Sequence, residues 1–254
     1  MNPAREWHLF RVALQFYTRL PVRIEDWQAR DLGEASKYAP LAGGCVALLS
    51  GLPWSLGWLA GQPLLGALLA VVTGILVTGA FHEDGLADAL DGLGGGQNPD
   101  QILTIMKDSR VGTYGVLALI ASVSLRAAAL SVMPLAAGWA MLLTQHMAGR
   151  ALAVSLIGAL PYVQADQLSK VKPVAQDLDP SSRVCVVALA APTLLWWPPA
   201  LSLVLLGMLL GLRTLCVRGF RRRLGGYTGD LLGAAEQLTE ILLVVMIAVL
   251  WPFF

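Results

Sequence analysis

Long apolar runs recur along the chain and alternate with short polar segments. The clearest runs cover about 41–59, 63–81, 116–133, 137–160 and 238–251, and a further one covers 184–212. Most are near the length of about 20 residues that an α-helix needs to cross a bilayer core. The pattern predicts an all-α, polytopic integral membrane helix bundle that forms a single domain over residues 1–254.

The run over 184–212 has two interpretations, one long tilted helix or a hairpin that turns at Pro198-Pro199. Charge decides between them. One helix would place the arginines that follow the run opposite the other basic segments, whereas a hairpin returns them to the same side, as the positive-inside rule favours. With the hairpin, the bundle has about seven transmembrane helices.

The same rule predicts an orientation. With the N-terminus in the cytoplasm, every charged segment lies on the cytoplasmic face, namely 1–40, 82–113, 162–183 and 213–237. The turns on the far side carry no charge, and they are 60–62, 134–136 and 197–200. A site built from the charged segments therefore faces the cytoplasm.

Residues 4–20 form an amphipathic helical pattern that Pro21 ends. Such a helix suits the membrane surface or a groove on the protein's own bundle. We therefore expect 1–40 to be an N-terminal interfacial segment, in which Trp27 and Tyr38 are placed as interfacial anchors. The apolar side of the helix is predicted to carry Trp7, Phe10, Ala13, Leu14 and Tyr17.

Composition supports the membrane location and excludes other classes. Of the 254 residues, 56% are hydrophobic and 14% are charged, which is far from a soluble domain. A net charge of +1, without basic runs that alternate with aromatics, argues against a nucleic-acid partner. The three cysteines are scattered and indicate neither a disulfide framework nor a metal cluster.

The segment 82–113 interrupts the apolar pattern with six carboxylates and only two cations. Asp84, Asp88 and Asp91 fall at i, i+4 and i+7, so a helix over 82–92 aligns them on one stripe. One explanation is a solvated acidic loop. A solvated loop rarely aligns its charges beside glycines at the end of an apolar run, so we favour a bound divalent cation. Mg²⁺ is commonly held by a few carboxylates together with substrate phosphates.

Three stretches carry a resemblance to a known family. They are HEDGLAD at 82–88 followed by Asp91-Gly92, MKDSRVG at 106–112, and GGYTGDLLG at 225–233, and they resemble the signatures of the cobalamin synthases, the adenosylcobinamide-GDP ribazoletransferases. The resemblance runs nearly end to end. It implies transfer of the cobinamide phosphate of adenosylcobinamide-GDP to α-ribazole or its 5′-phosphate, with release of GMP. It also implies a Mg²⁺-dependent, multi-pass protein of the bacterial inner membrane.

The chemistry of that reaction suggests roles for individual residues. Displacing GMP from a diphosphate builds negative charge, which divalent metals and cationic side chains stabilise. The candidate metal ligands are Asp84, Asp88, Asp91, Asp108 and Asp230. The candidate phosphate-binding cations are Lys107, Arg110 and Arg150, each with structural ion pairing as the alternative.

Other assignments remain open at this point. The base that activates the ribazole hydroxyl is His82, Glu83 or one of the aspartates, and the glycines expected next to substrate are Gly85, Gly92 and Gly229. Glu236 and Glu240 are either further site residues beside Asp230 or caps of the last helix. Three polar residues lie in apolar runs; Arg126 and Arg150 are expected to face the bundle interior or an interface, and His146 to be hydrogen-bonded.

Two rival functions compete with this one. A CDP-alcohol phosphotransferase is similar in Asp88-Ala-Leu-Asp91-Gly92, but Gly95-Gly96 stands where that family has Ala-Arg. A divalent-cation transporter would place its acidic residues near the middle of the membrane, not at one face. The expected partners are the two substrates and the lipid bilayer, and a homo-oligomer is left open.

Overall fold

The computed structural model describes residues 2–24, 28–163 and 179–253. Within these ranges the chain is helical, and β-pairing is limited to two isolated bridges, Ile157 with Leu160 and Tyr162 with Tyr227. The predicted anchor Trp27 and most of the polar loop predicted at 162–183 lie outside the described residues.

The helices follow one another with short connections. They are α1 (Pro3–Tyr17), α2 (Ala29–Ala35), α3 (Ala39–Leu59), α4 (Pro63–Thr78), α5 (Phe81–Gly95), α6 (Pro99–Met106), α7 (Thr113–Ser131), α8 (Leu135–Leu156), α9 (Pro180–Ala190), α10 (Pro199–Leu224) and α11 (Gly229–Leu250). Short 3₁₀ segments cover Ser36–Tyr38, Ala191–Trp196 and Trp251–Phe253.

The predicted helical membrane bundle is confirmed. Among the described residues, four helices are long and apolar enough to cross a membrane, or five if the bent pair α4 and α5 counts as one span. The four cover Arg30–Leu59, Thr113–Ser131, Pro199–Leu224 and Gly229–Phe253. The number of spans predicted, about seven, stays a prediction.

The chain reverses where the hairpin was predicted. Helix α9 and its 3₁₀ continuation end at Trp196, and α10 begins at Pro199. Arg183 near the start of α9 and Arg213 on α10 line the same groove, so α10 returns along the same side of the bundle. At the apex, the ring of Trp197 lies 5.6 Å from that of Trp251.

Helix α1 lies in a groove of the protein's own bundle. Its buried side is formed by Leu9, Val12, Ala13, Leu14 and Tyr17, and it packs on α2 and α3. The ring of Trp7 lies 5.7 Å from that of Phe10, so Trp7 shares this side of the helix, as predicted, although its side chain is 61% exposed. The helix also ends at Tyr17, before Pro21, since Thr18 is extended.

The second apolar span was predicted to continue to Phe81, and this bound is wrong because the chain forms a corner between α4 and α5. Helix α4 stops at Thr78, and the axis turns by 91° before α5 begins. Gly79 and Ala80 both take the left-handed conformation, with φ of 71° and 61°. For Ala80 this conformation costs roughly 1–2 kcal/mol, which the surrounding packing must offset.

Candidate active site

The acidic stripe lies on α5, as its spacing predicted. The helix covers Phe81–Gly95, and exposure falls along it from Asp84, which is exposed, through half-buried Asp88 to buried Asp91. Asp84 and Asp88 are one helical turn apart and share one side of the helix. The two carboxylates therefore repel each other.

A close approach of two helices brings a third carboxylate to the stripe. A Cβ at Gly85 would lie 3.0 Å from the backbone oxygen of Asp230 and 3.3 Å from the Cα of Gly233. These distances are shorter than ordinary van der Waals contact, so a side chain here would require the two helices to move apart by a few tenths of an ångström. Asp230 stands in the first turn of α11, within electrostatic range of Asp84 and Asp88.

These three carboxylates lack compensating partners. In the part of the chain that the structure describes, no side chain donates a hydrogen bond to Asp84, Asp88 or Asp230 or pairs with them. The described residues hold no group of three His, Cys, Asp or Glu side chains already arranged to hold a metal ion. Mg²⁺ needs no such group, because one or two carboxylates commonly hold it together with substrate phosphates and water. The cluster therefore fits a metal that binds with its substrate.

Asp91 has a different environment. Its Oδ2 accepts a hydrogen bond from the backbone N–H of Gly112 at 2.7 Å, and its Oδ1 accepts one from Gly115 at 2.9 Å. A Cβ on either glycine would collide with the carboxylate. Asp91 thus fixes the start of α7 against α5, and its metal ligation stays a prediction.

The loop from 107 to 112 carries the predicted phosphate-binding cations. Arg110 donates to both carboxylate oxygens of Asp108, with Nη2 2.6 Å from Oδ2, and its side chain is 87% exposed. This contact lowers the pKa of Asp108 to about 2. The loop follows α6, which ends at Lys107. Helix α6 packs against the C-terminal half of α5, where Gly92 contacts Ile102 and Met106. The loop therefore lies at the C-terminal end of α5.

Glu83 points away from the stripe into the bundle. It is buried, lies 3.4 Å from Arg126 of α7, and accepts a hydrogen bond from Gln237 of α11 at 3.2 Å. Arg126 also lies 2.8 Å from Glu240. These contacts join α5, α7 and α11 and place Glu83 on a different side of α5 from Asp84 and Asp88.

Arg150 belongs to the same buried network. Its Nη1 lies 2.9 Å from Glu236 and 3.2 Å from Glu240, while His146 Nδ1 lies 2.6 Å from Glu240. Arg126 and Arg150 thus face the bundle interior, as predicted, and His146 is hydrogen-bonded. The alternative that Glu236 and Glu240 cap α11 is wrong, because both are fully buried among cations. For Arg150, the contacts favour ion pairing over phosphate binding.

His82 lies at the edge of a small cavity. The cavity has a volume of about 60 Å³, and Arg150 and Gly229 also line it. The imidazole is 4% exposed and stacks on Tyr17, with ring centroids 6.4 Å apart. At Gly229, which is exposed, a Cβ would meet open space. The predicted roles of His82 and Gly229 stay predictions.

The described fold defines a class, an all-helical membrane protein with a carboxylate cluster between two helices. A family model for cobalamin-5-phosphate synthase matches residues 9–248. A Shewanella oneidensis protein named adenosylcobinamide-GDP ribazoletransferase is 43% identical over 252 residues, covering 95% of each chain. A protein of the same name from Shewanella baltica is 41% identical over 254 residues, again with 95% of each chain. No solved structure matches. The chain belongs to the cobalamin-5-phosphate synthase family.

Proposed function

We propose that this protein is a Mg²⁺-dependent adenosylcobinamide-GDP ribazoletransferase. Family membership and relatives of that name support the activity. The observation that carries the metal assignment is the cluster of Asp84, Asp88 and Asp230, which brings three like charges together without a cation among the described residues. A bound divalent cation would supply the positive charge that this cluster lacks.

In the proposed reaction, the hydroxyl of α-ribazole or its 5′-phosphate attacks the phosphorus of the cobinamide phosphate. A new P–O bond forms, the bond to GMP breaks, and the hydroxyl proton passes to a base. Bound Mg²⁺ would neutralise charge on the phosphate oxygens. One or two carboxylates of the cluster of Asp84, Asp88 and Asp230 would hold the metal. Lys107 would attract the diphosphate as a point charge, and Arg110 as a planar fork.

The surroundings of the candidate bases narrow the choice of proton acceptor. Glu83 is engaged by Arg126 and Gln237, and His82 is enclosed by Tyr17 and the end of α8. An aspartate of the stripe is more accessible than either. We assign the proton to a carboxylate of the cluster, with Glu83 and His82 as supporting groups behind it.

The proposed location is the bacterial inner membrane, with the site open to the cytoplasm. Support comes from the distribution of charge. Arg223, near the end of α10, lies beside the acidic segment and donates to the carbonyls of Leu93 and Gly96. Positive charge is concentrated on the cytoplasmic side of inner-membrane proteins.

The experiment is a transferase assay with the purified full-length protein in lipid vesicles. Adenosylcobinamide-GDP, α-ribazole and Mg²⁺ are supplied, and GMP and the cobamide product are measured. We expect equal amounts of both products, and no turnover after chelation of Mg²⁺. Metal flux across the vesicle membrane without GMP formation would contradict the proposal and identify a transporter.

A further inference from the structure

A large groove lies between α8, α9 with its 3₁₀ continuation, and α10. Its volume is about 460 Å³. The described residues that line it include none from α5 or α11, which carry the acidic cluster. The groove is therefore separate from the candidate active site.

The walls of the groove are aliphatic and open to the side of the bundle. Leu152 of α8 forms part of its floor, and Val187, Leu206 and Leu210 form its rim. These three rim side chains are exposed. Helix α10 is apolar enough to cross a membrane, so its exposed side chains meet lipid. An apolar groove of this size in a bilayer is suited to an acyl chain and poorly suited to water.

Two arginines line the same groove. Arg183 lies in the first turn of α9, and Arg213 lies halfway along α10. Arg213 donates from Nε to Ser155 Oγ at 3.0 Å and from Nη2 to the Ser155 carbonyl at 3.2 Å. These bonds hold the guanidinium against the end of α8 and use two of its five N–H donors.

We propose that this groove binds one anionic phospholipid. An acyl chain lies along the aliphatic wall, and the phosphate lies against Arg183 and Arg213. Cationic pockets between membrane helices on the positively charged side attract anionic headgroups, and the planar guanidinium matches phosphate oxygens. The combination of an apolar groove with two cations selects a lipid over a soluble phosphate, which would leave the aliphatic wall uncovered. This site does not depend on the proposed transferase function.

The test compares two lipids on the full-length protein. Purified protein is incubated with mixed vesicles of phosphatidylglycerol and phosphatidylcholine, extracted, and examined by native mass spectrometry for retained lipid. We expect one phosphatidylglycerol to be retained in preference to phosphatidylcholine. Equal retention of the two lipids by the unaltered protein would overturn the proposal, and this comparison requires no variant to fold.

Variants then locate the site. Arg183→Gln with Arg213→Gln is expected to reduce the preference for phosphatidylglycerol several-fold. Arg213→Lys keeps the charge but loses the planar fork, so it is expected to reduce the preference less. Val187→Trp fills the groove at its rim and is expected to reduce retention of both lipids. The matched control is Arg218→Gln, an exposed arginine of α10 outside the groove, which should behave as wild type. An unchanged preference in the double variant, or an equal loss in the Arg218 control, would contradict this site.

Discussion

Gly85 of α5 lies against Gly233 of α11, so closely that a Cβ on Gly85 would stand 3.3 Å from the Cα of Gly233. This contact sets the separation of the two helices that carry the carboxylate cluster. Asp84 flanks it on one helix and Asp230 on the other. The position of the proposed metal site thus depends on a residue that has no functional group of its own.

Enlarging Gly85 should separate the two helices. Gly85→Val is expected to lower the free energy of unfolding by about 1–3 kcal/mol, the usual cost of overpacking. It should also reduce turnover about tenfold or more, since a loss of 1.4 kcal/mol of transition-state stabilisation corresponds to tenfold. Thermal unfolding and GMP release measure the two effects. Gly207→Val is the control, because a Cβ there meets open space.

Asp91 should matter for stability more than its neighbours on the stripe. Asp91→Asn leaves one acceptor oxygen where two carboxylate oxygens each accept a backbone N–H, and it is expected to cost about 1–3 kcal/mol. Asp84→Asn, at an exposed position beside other carboxylates, should leave stability unchanged or raise it. Thermal unfolding of both variants in the same lipid decides this. Equal stability of the two would contradict the capping role of Asp91.

The difference between these two aspartates shows how far the sequence could predict the site. The spacing of Asp84, Asp88 and Asp91 was enough to predict a helix with an aligned stripe. The partners of Asp91 are backbone N–H groups of Gly112 and Gly115, which begin the next span. Backbone donors have no sequence signature, so the capping role could not be predicted.

The buried network was missed for a related reason. Arg126 and Arg150 were expected to face the interior, but their partners were not identified. Glu236 and Glu240 are one helical turn apart at the start of an apolar run, a pattern that fits a solvated helix end as well as a buried pair. Two arginines within apolar spans require buried carboxylates, and this requirement was the available signal.

Removing one member of this network should destabilise the bundle. Arg126→Met leaves Glu83 and Glu240 without a cation that lies 3.4 and 2.8 Å away, and the expected cost is about 3–5 kcal/mol. In the double variant with Glu83→Gln, part of this loss should be recovered, because one unpaired charge is removed. Unfolding in a lipid environment measures both. Additive losses in the double variant would show that Arg126 and Glu83 do not interact.

Arg110 should act on the nucleotide-diphosphate substrate. Arg110→Lys keeps the charge but loses the planar fork, so it is expected to raise the KM for adenosylcobinamide-GDP while the KM for α-ribazole stays within about twofold. Steady-state kinetics with each substrate varied in turn provides the measurement. Wild-type values for both substrates would show that Arg110 only balances Asp108, which it contacts at 2.6 Å. A selective rise for α-ribazole would place it at the other subsite.

The central claim is that the cluster of Asp84, Asp88 and Asp230 supplies the carboxylate ligands of the catalytic metal. Its most direct test is GMP release as a function of Mg²⁺ concentration in the wild type and in Asp84→Asn, Asp88→Asn and Asp230→Asn, with membrane insertion checked for each. We predict that every variant needs more Mg²⁺ and loses at least about a hundredfold in turnover, equal to about 2.7 kcal/mol. Near-normal turnover of all three variants at limiting Mg²⁺ would contradict the account.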